Sequence, residues 1–159
     1  MSSVIESQIH SLYMPHFISS TKAIFQTMLG WEVTVESFSR YVGFQPCRDV
    51  TGIIGFAGAM KGTIVVSVDK EVAFGAAEVF IGSRPSSIDS DVLDLVGELA
   101  NMIGGGAKER LNDPKIALGL PTTLSGTDYK ISFTPGSDIE QVEFRTPSGP
   151  LTLQIAIQS

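Results

Sequence analysis

The sequence predicts an α/β (α+β) fold in which three main helices pack on a largely antiparallel sheet. Three observations carry that expectation. Apolar residues recur at helical spacing in three separate stretches, two strand-like runs are joined by a short glycine-bounded turn, and the last third of the chain alternates extended runs with prolines. At 159 residues the chain is expected to form one domain spanning 1–159. A chain of that length buries roughly 70% of its unfolded surface and needs neither metal nor disulfide to hold a core.

The elements follow in order. Phe17, Ile18, Ile24, Phe25, Met28 and Leu29 recur at helical spacing, and Gly30 is a natural stop for this first helix. "WEVTVESF" then alternates Trp31, Val33 and Val35 with polar neighbours, the period of a half-buried strand. "VTGIIGFAG" and "GTIVVSV", separated by "AMK", read as a hairpin, which makes the sheet at least partly antiparallel. "DKEVAFGAAEVFIG" gives a second helix with Asp69 as its expected N-cap and Gly82 near its end, and "RPSSIDS" is a loop. Beyond a third helix, "IALGLP", "YKISFTPG", "IEQVEFR" and "LTLQIAIQ" are extended segments punctuated by Pro121, Pro135, Pro147 and Pro150.

The third helix, in "GELANMIGGGAKERL" and the residues before it, carries the information. Ser87 or Asp89 can cap it, and an advance of about 100° per residue puts Val92, Leu95, Val96, Leu99 and Ile103 on a stripe facing the core. Asp94, Glu98, Asn101 and Gly105 form a second stripe nearly opposite, so a carboxylate and a carboxamide one turn apart face solvent or a partner. Gly97, Ala100 and Gly104 make a third, small-residue edge that lets another backbone come close. Taken by spacing alone, Glu98 and Asn101 are what any solvated helix face carries. The three consecutive glycines are less ordinary, because each costs about 1 kcal/mol against alanine inside a helix, and they imply either a break or a close approach.

Composition excludes several classes. A formal net charge of -6 without a Lys or Arg cluster speaks against a nucleic-acid partner. The apolar runs fall well short of the roughly 18 residues a membrane helix needs. A single cysteine, Cys47, and the absence of a charged leader followed by an apolar run make the reduced cytoplasm the expected compartment. His10 and His16 lack companion ligands, so no metal site is expected. "IGGGAKER" has neither the spacing nor the preceding strand of a phosphate-binding loop. Cys47, with only Arg48 beside it, reads as a small hydrophobe rather than a nucleophile.

The run Asp94-x-x-x-Glu98-x-x-Asn101-x-x-x-Gly105, followed by Ala107 and later by "GLPT" with Pro121, resembles the CheC/CheX/FliY phosphatases of bacterial chemotaxis. "FISSTKAIFQTMLGWEV", "GFAGAMKGTIVVSV" and the helix after "DKE" are similar to the CheX branch in order and spacing. CheC-like members carry two Glu-x-x-Asn helices, and the first helix here has no such pair, so the resemblance implies one site per chain. It departs from many CheX-like sequences at Gly106, where they place Asn. The resemblance implies a phosphatase acting on the phospho-aspartate of a CheY-like response-regulator receiver domain. In that role Asn101 orients the attacking water and Glu98 binds a receiver lysine, with Asp94 and Gly105 as further partner contacts. It implies no cofactor held by this chain, magnesium being carried by the receiver, and a homodimer formed by joining sheets. A receiver-binding or scaffolding module of the same fold without catalysis is the alternative, and the segments "IEQVEFR" and "LTLQIAIQ" are expected to offer the edges that a second subunit covers.

Overall fold

The computed structural model describes residues 2–41 and 45–158. Its helices are α1 (Ser2–Ser7), α2 (Met14–Leu29), α3 (Lys70–Ile81) and α4 (Ser90–Leu111). Its strands are β1 (Thr34–Tyr41), β2 (Gln45–Pro46), β3 (Val50–Ala57), β4 (Lys61–Val68), β5 (Ala117–Leu118), β6 (Thr122–Ser125), β7 (Lys130–Ile131), β8 (Asp138–Thr146) and β9 (Gly149–Gln158). Seven strands form one antiparallel sheet in the order β1-β8-β9-β4-β3, and the far side of β3 is shared by β5 and β6. The fold is the expected α+β arrangement with three long helices.

Strand periodicity decides which face the helices cover. Ile64, Val66 and Val68 of β4 and Leu151, Leu153 and Ile155 of β9 point to one side and join Phe17, Phe25, Val96 and Ile103 of the helices in a single buried cluster. The intervening positions, Thr51, Ser67, Thr152 and Gln154, are also buried but lie on the other side. There the short sheet of β2 and β7 brings Tyr129 within 2.6 Å of the Thr51 hydroxyl. Arg48 threads this polar face, its backbone N–H donating to Ser67 Oγ at 2.8 Å and its guanidinium to Thr152, Asp69 and Glu143. Among the described residues no buried side-chain polar atom lacks a partner, so the polar face is stable rather than orphaned.

Several local expectations hold and two do not. Gly30 ends α2 in the left-handed conformation at φ 68°, its N–H bonding Gln26 O while that of Trp31 bonds Phe25 O. Trp31 then folds back to stack on Phe25, 6.1 Å between ring centroids. Asp69 precedes α3 but makes no side-chain cap. Its carboxylate is drawn to Arg48 at 3.2 Å, and the first N–H of the helix, that of Lys70, is taken by Asp49 Oδ2 at 2.7 Å instead. The second difference concerns the strand edges. β8 lies between β1 and β9, and β9 between β8 and β4, so "IEQVEFR" and "LTLQIAIQ" are interior strands. The ends of the sheet are β1 on one side and β5 with β6 on the other.

Candidate functional site

The candidate site lies on α4, whose sequence makes it a firm platform. Asp89 Oδ1 accepts the Val92 N–H at 3.0 Å, the expected N-cap, and Asp91 adds negative charge at the positive end of the helix dipole. Lys108 and Arg110 occupy the last turn, and Asn112 closes the helix at φ 55°. Helical conformation continues without interruption through Gly104, Gly105 and Gly106, so the glycines do not break it.

Burial along α4 confirms the two-sided reading. Val92, Val96, Leu99 and Ile103 are in the core, while Leu95, expected with them, is only half-buried at the margin of that stripe. Asp94 and Glu98 are exposed and Asn101 is half-buried. A side chain at Gly105 would meet nothing within 4 Å. At 100° per residue, Asp94, Asn101 and Gly105 lie within about 60° of Glu98, so one outward stripe holds all four. The Glu98 and Asn101 Cβ atoms of such an i, i+3 pair stand about 5–6 Å apart. Among the described residues neither side chain forms a hydrogen bond or an ion pair, which leaves both functional groups available.

The glycines have separate roles. A Cβ at Gly97 would lie 2.9 Å from Thr123 Cγ2 and 3.6 Å from Pro121 Cβ, and one at Gly104 would lie 3.5 Å from the Leu118 methyls. These two residues therefore seat α4 against the 118–123 segment. At Gly106 a Cβ would stand 2.3 Å from Ser20 Oγ of α2. Only Gly105 bares the outward face, so of the two readings the glycine run allows, a break or a close approach, the close approach holds, at Gly104 and Gly106. The residue that departs from many CheX-like sequences, Gly106, serves the contact between α4 and α2. On the helical wheel Asn101 falls between Glu98 and the Gly97/Gly104 edge, so the 118–123 segment forms a wall on the Asn101 side. In the sequence this segment is an extended run punctuated by Pro121 and the "GLPT" of the family resemblance, and neither feature places it against α4.

The surface around the stripe is open. A shallow hollow of about 390 Å³, bounded by Gly105, Lys108, Glu109, Asn112, Asp113 and Pro114, continues it toward the end of α4. A larger hollow of about 870 Å³ lies elsewhere, between α1, α2 and the start of β1, where Lys22 pairs with Glu6 at 2.8 Å. It shares no residue with the stripe. Among the described residues no group of three or more His, Cys, Asp or Glu is placed to hold a metal ion. Cys47 is half-buried on the polar side of the sheet, and burial pushes its thiol up, against smaller opposing effects of hydrogen bonds to Thr51 and Ile131. Among the described residues no helix is long and apolar enough to cross a membrane.

A carboxylate and a carboxamide on a rigid, convex helix suit a protein substrate better than a small molecule, which binds in concave pockets. The carboxamide can accept a hydrogen bond through oxygen and donate through nitrogen, and the carboxylate can only accept. The pair can thus position a water and a cation without supplying a nucleophile.

Comparison with known proteins gives the same direction. The family model for the chemotaxis phosphatase CheX matches residues 50–145, more than half of the chain and all of the α4 stripe. The chain is similar to a CheC-like superfamily protein from Shewanella sp. PV-4, at 26% identity and TM-score 0.87, over 95% of this chain and 100% of that one. It is similar to the chemotaxis protein CheX of Vibrio vulnificus, at 25% identity and TM-score 0.82, over 93% of this chain and 100% of that one. It shares its fold with the CheX of a CheX–CheY–BeF3–magnesium complex from Borrelia burgdorferi, at 24% identity and TM-score 0.78, over 92% and 98% of the two chains. No curated protein sequence matches. By the family match and the whole-length structural likeness, this chain belongs to the CheX family of chemotaxis phosphatases.

Proposed function

We propose that the chain hydrolyses the phospho-aspartate of a CheY-type receiver domain, with Asn101 orienting the attacking water and Glu98 holding a receiver lysine. The observation that carries this reading is the pair itself: two unbonded polar groups one turn apart, outward on a capped and well-packed helix. The Borrelia burgdorferi relative, bound to CheY with BeF3 and magnesium, supports a receiver as the partner.

Phosphoryl transfer asks a protein mainly for positioning and charge stabilisation. The water oxygen attacks phosphorus in line with the bond to the receiver's aspartate, that P–O bond breaks, and the carboxylate leaves with its electron pair while the water's proton passes to phosphate or solvent. Asn101 accepts a hydrogen bond from the water through its side-chain oxygen, fixing the approach direction without taking the proton. Glu98 makes a charge-assisted bond to the lysine, which sets the docking register. Asp94 and Gly105 border the receiver, the first by charge and the second by leaving room. Magnesium belongs to the receiver in this scheme. Neither of the other two long helices, α2 and α3, has a Glu-x-x-Asn pair, which supports one site per chain.

We further propose a homodimer in the cytoplasm, joined at β1. Of the two ends of the sheet, that of β5 and β6 lies beside the 118–123 wall, and a second subunit there would cover Asn101. Pairing at β1 leaves both α4 faces open and uses the same strand on both chains. The test of the catalytic reading is phosphate release from CheY-type receivers phosphorylated in magnesium buffer, with and without this protein. Acceleration at substoichiometric amounts supports it, and binding without acceleration would support the scaffolding alternative.

A further inference from the structure

We propose that Leu120 is the apolar anchor that seats the receiver domain beside Asn101, an inference that rests on the receiver reading above. Leu120 is 91% exposed, more than any other large hydrophobic residue among those described. A single exposed leucine is unremarkable by itself. This one is held out on fixed backbone. The N–H of Gly119 before it donates to Gly55 O at 2.8 Å. Pro121 after it has a restricted φ and packs toward α4 at Gly97, and Thr122 then pairs with Ile53 of β3. Binding therefore orders little beyond the leucine's own rotamers, which lowers the entropic cost of association.

Its position relates it to the site. Gly97, the residue that meets Pro121 and Thr123, directly precedes Glu98 and lies one turn before Asn101. Leu120 directly precedes Pro121, the residue that lies against α4 on the Asn101 side of the stripe, while the half-buried Leu95 and Met102 border the opposite side, about 40–60° round from Glu98. A polar centre between two apolar borders is the arrangement by which an interface excludes water from its key contacts. The occupant is a receiver rather than a second copy of this chain. Asp91, Asp94 and Glu98 lie along the same stripe, exposed and without ion-pair partners among the described residues, so the face is acidic and complements a lysine-bearing surface rather than itself.

The experiment measures binding of the full chain to a CheY-type receiver loaded with beryllofluoride and magnesium, and turnover of the same receiver when phosphorylated. Leu120→Ala is expected to weaken binding about tenfold, the worth of burying most of a leucine side chain, and to raise KM by a similar factor with kcat unchanged. Leu120→Met is expected to restore both values, and Leu120→Asp to remove measurable binding. Thermal melts should match wild type for all three, since the side chain is outside the core. Wild-type binding by Leu120→Ala and Leu120→Asp overturns the proposal, as does a fall in kcat at saturating receiver with KM unchanged. Loss of the dimer in Leu120→Asp overturns it in favour of a second copy. Asn101→Ala, run in parallel, separates the two readings: if it retains kcat, the water-orienting role fails while the Leu120 result stands on binding alone.

Discussion

The Ser20 hydroxyl occupies the place where a side chain on Gly106 would begin, 2.3 Å from the position of its Cβ, and donates at 2.7 Å to the carbonyl of Ile103 on the same helix. α2 and α4 are thereby held at a distance that only glycine permits at position 106. Replacing Gly106 by Ala gains about 1 kcal/mol of helix propensity but overpacks a buried contact, which costs about 1–3 kcal/mol. The second effect is the larger, so Gly106→Ala is expected to destabilise by roughly 1 kcal/mol. In a Ser20→Ala background the same change is expected to stabilise by about 1 kcal/mol, because the obstructing oxygen is gone. Urea denaturation of the four proteins of this cycle checks it, and a Gly106→Ala variant that is stabilised with Ser20 present would contradict the assigned contact.

Glu98→Gln keeps the shape of the side chain and removes its charge. If Glu98 binds a receiver lysine, the variant loses a charge-assisted bond worth about 1.5–3 kcal/mol, or roughly 10- to 100-fold in receiver affinity. Titration of a magnesium- and beryllofluoride-loaded CheY-type receiver measures this directly. Unchanged affinity would remove the docking role from Glu98.

Burial raises the Cys47 thiol above its ordinary value, so less thiolate is present near neutral pH than for an exposed cysteine. Alkylation by iodoacetamide should be slower than that of a free thiol at pH 7.5 and should rise with pH through a later midpoint. Alkylation as fast as a model thiol would place Cys47 in a more open or more electropositive setting than the structure shows.

Light scattering at micromolar concentration tests the proposed assembly. A mass of two chains is expected, and a mass of 17.0 kDa would rule out the dimer. A dimer that binds a single receiver would instead exclude pairing at β1, since that geometry leaves both α4 faces open.

The features legible in the sequence are those written in local periodicity. The α4 stripe of Asp94, Glu98, Asn101 and Gly105, the Asp89 cap, the Gly30 stop and the β3–β4 hairpin each depend on residues within a few positions of one another. Strand order does not. β8 and β9 look like terminal strands along the chain, yet their register places them between β1 and β4, a relation that no local pattern encodes. The same holds for Asp69, whose capping propensity is overridden by Arg48 from 21 residues away, and for the wall beside Asn101, which forms only because Gly97 lets Pro121 and Thr123 approach.

The most direct test of the central claim is the rate of phosphate release from a phosphorylated CheY-type receiver with Asn101→Ala set against wild type. Asn101 is half-buried and makes no side-chain hydrogen bond among the described residues, so its loss should leave the circular dichroism melt close to wild type. Losing the orientation of the attacking water should cost at least about 100-fold in the accelerated rate, while receiver binding persists. A variant that folds, binds the receiver and still accelerates dephosphorylation at the wild-type rate would contradict the account.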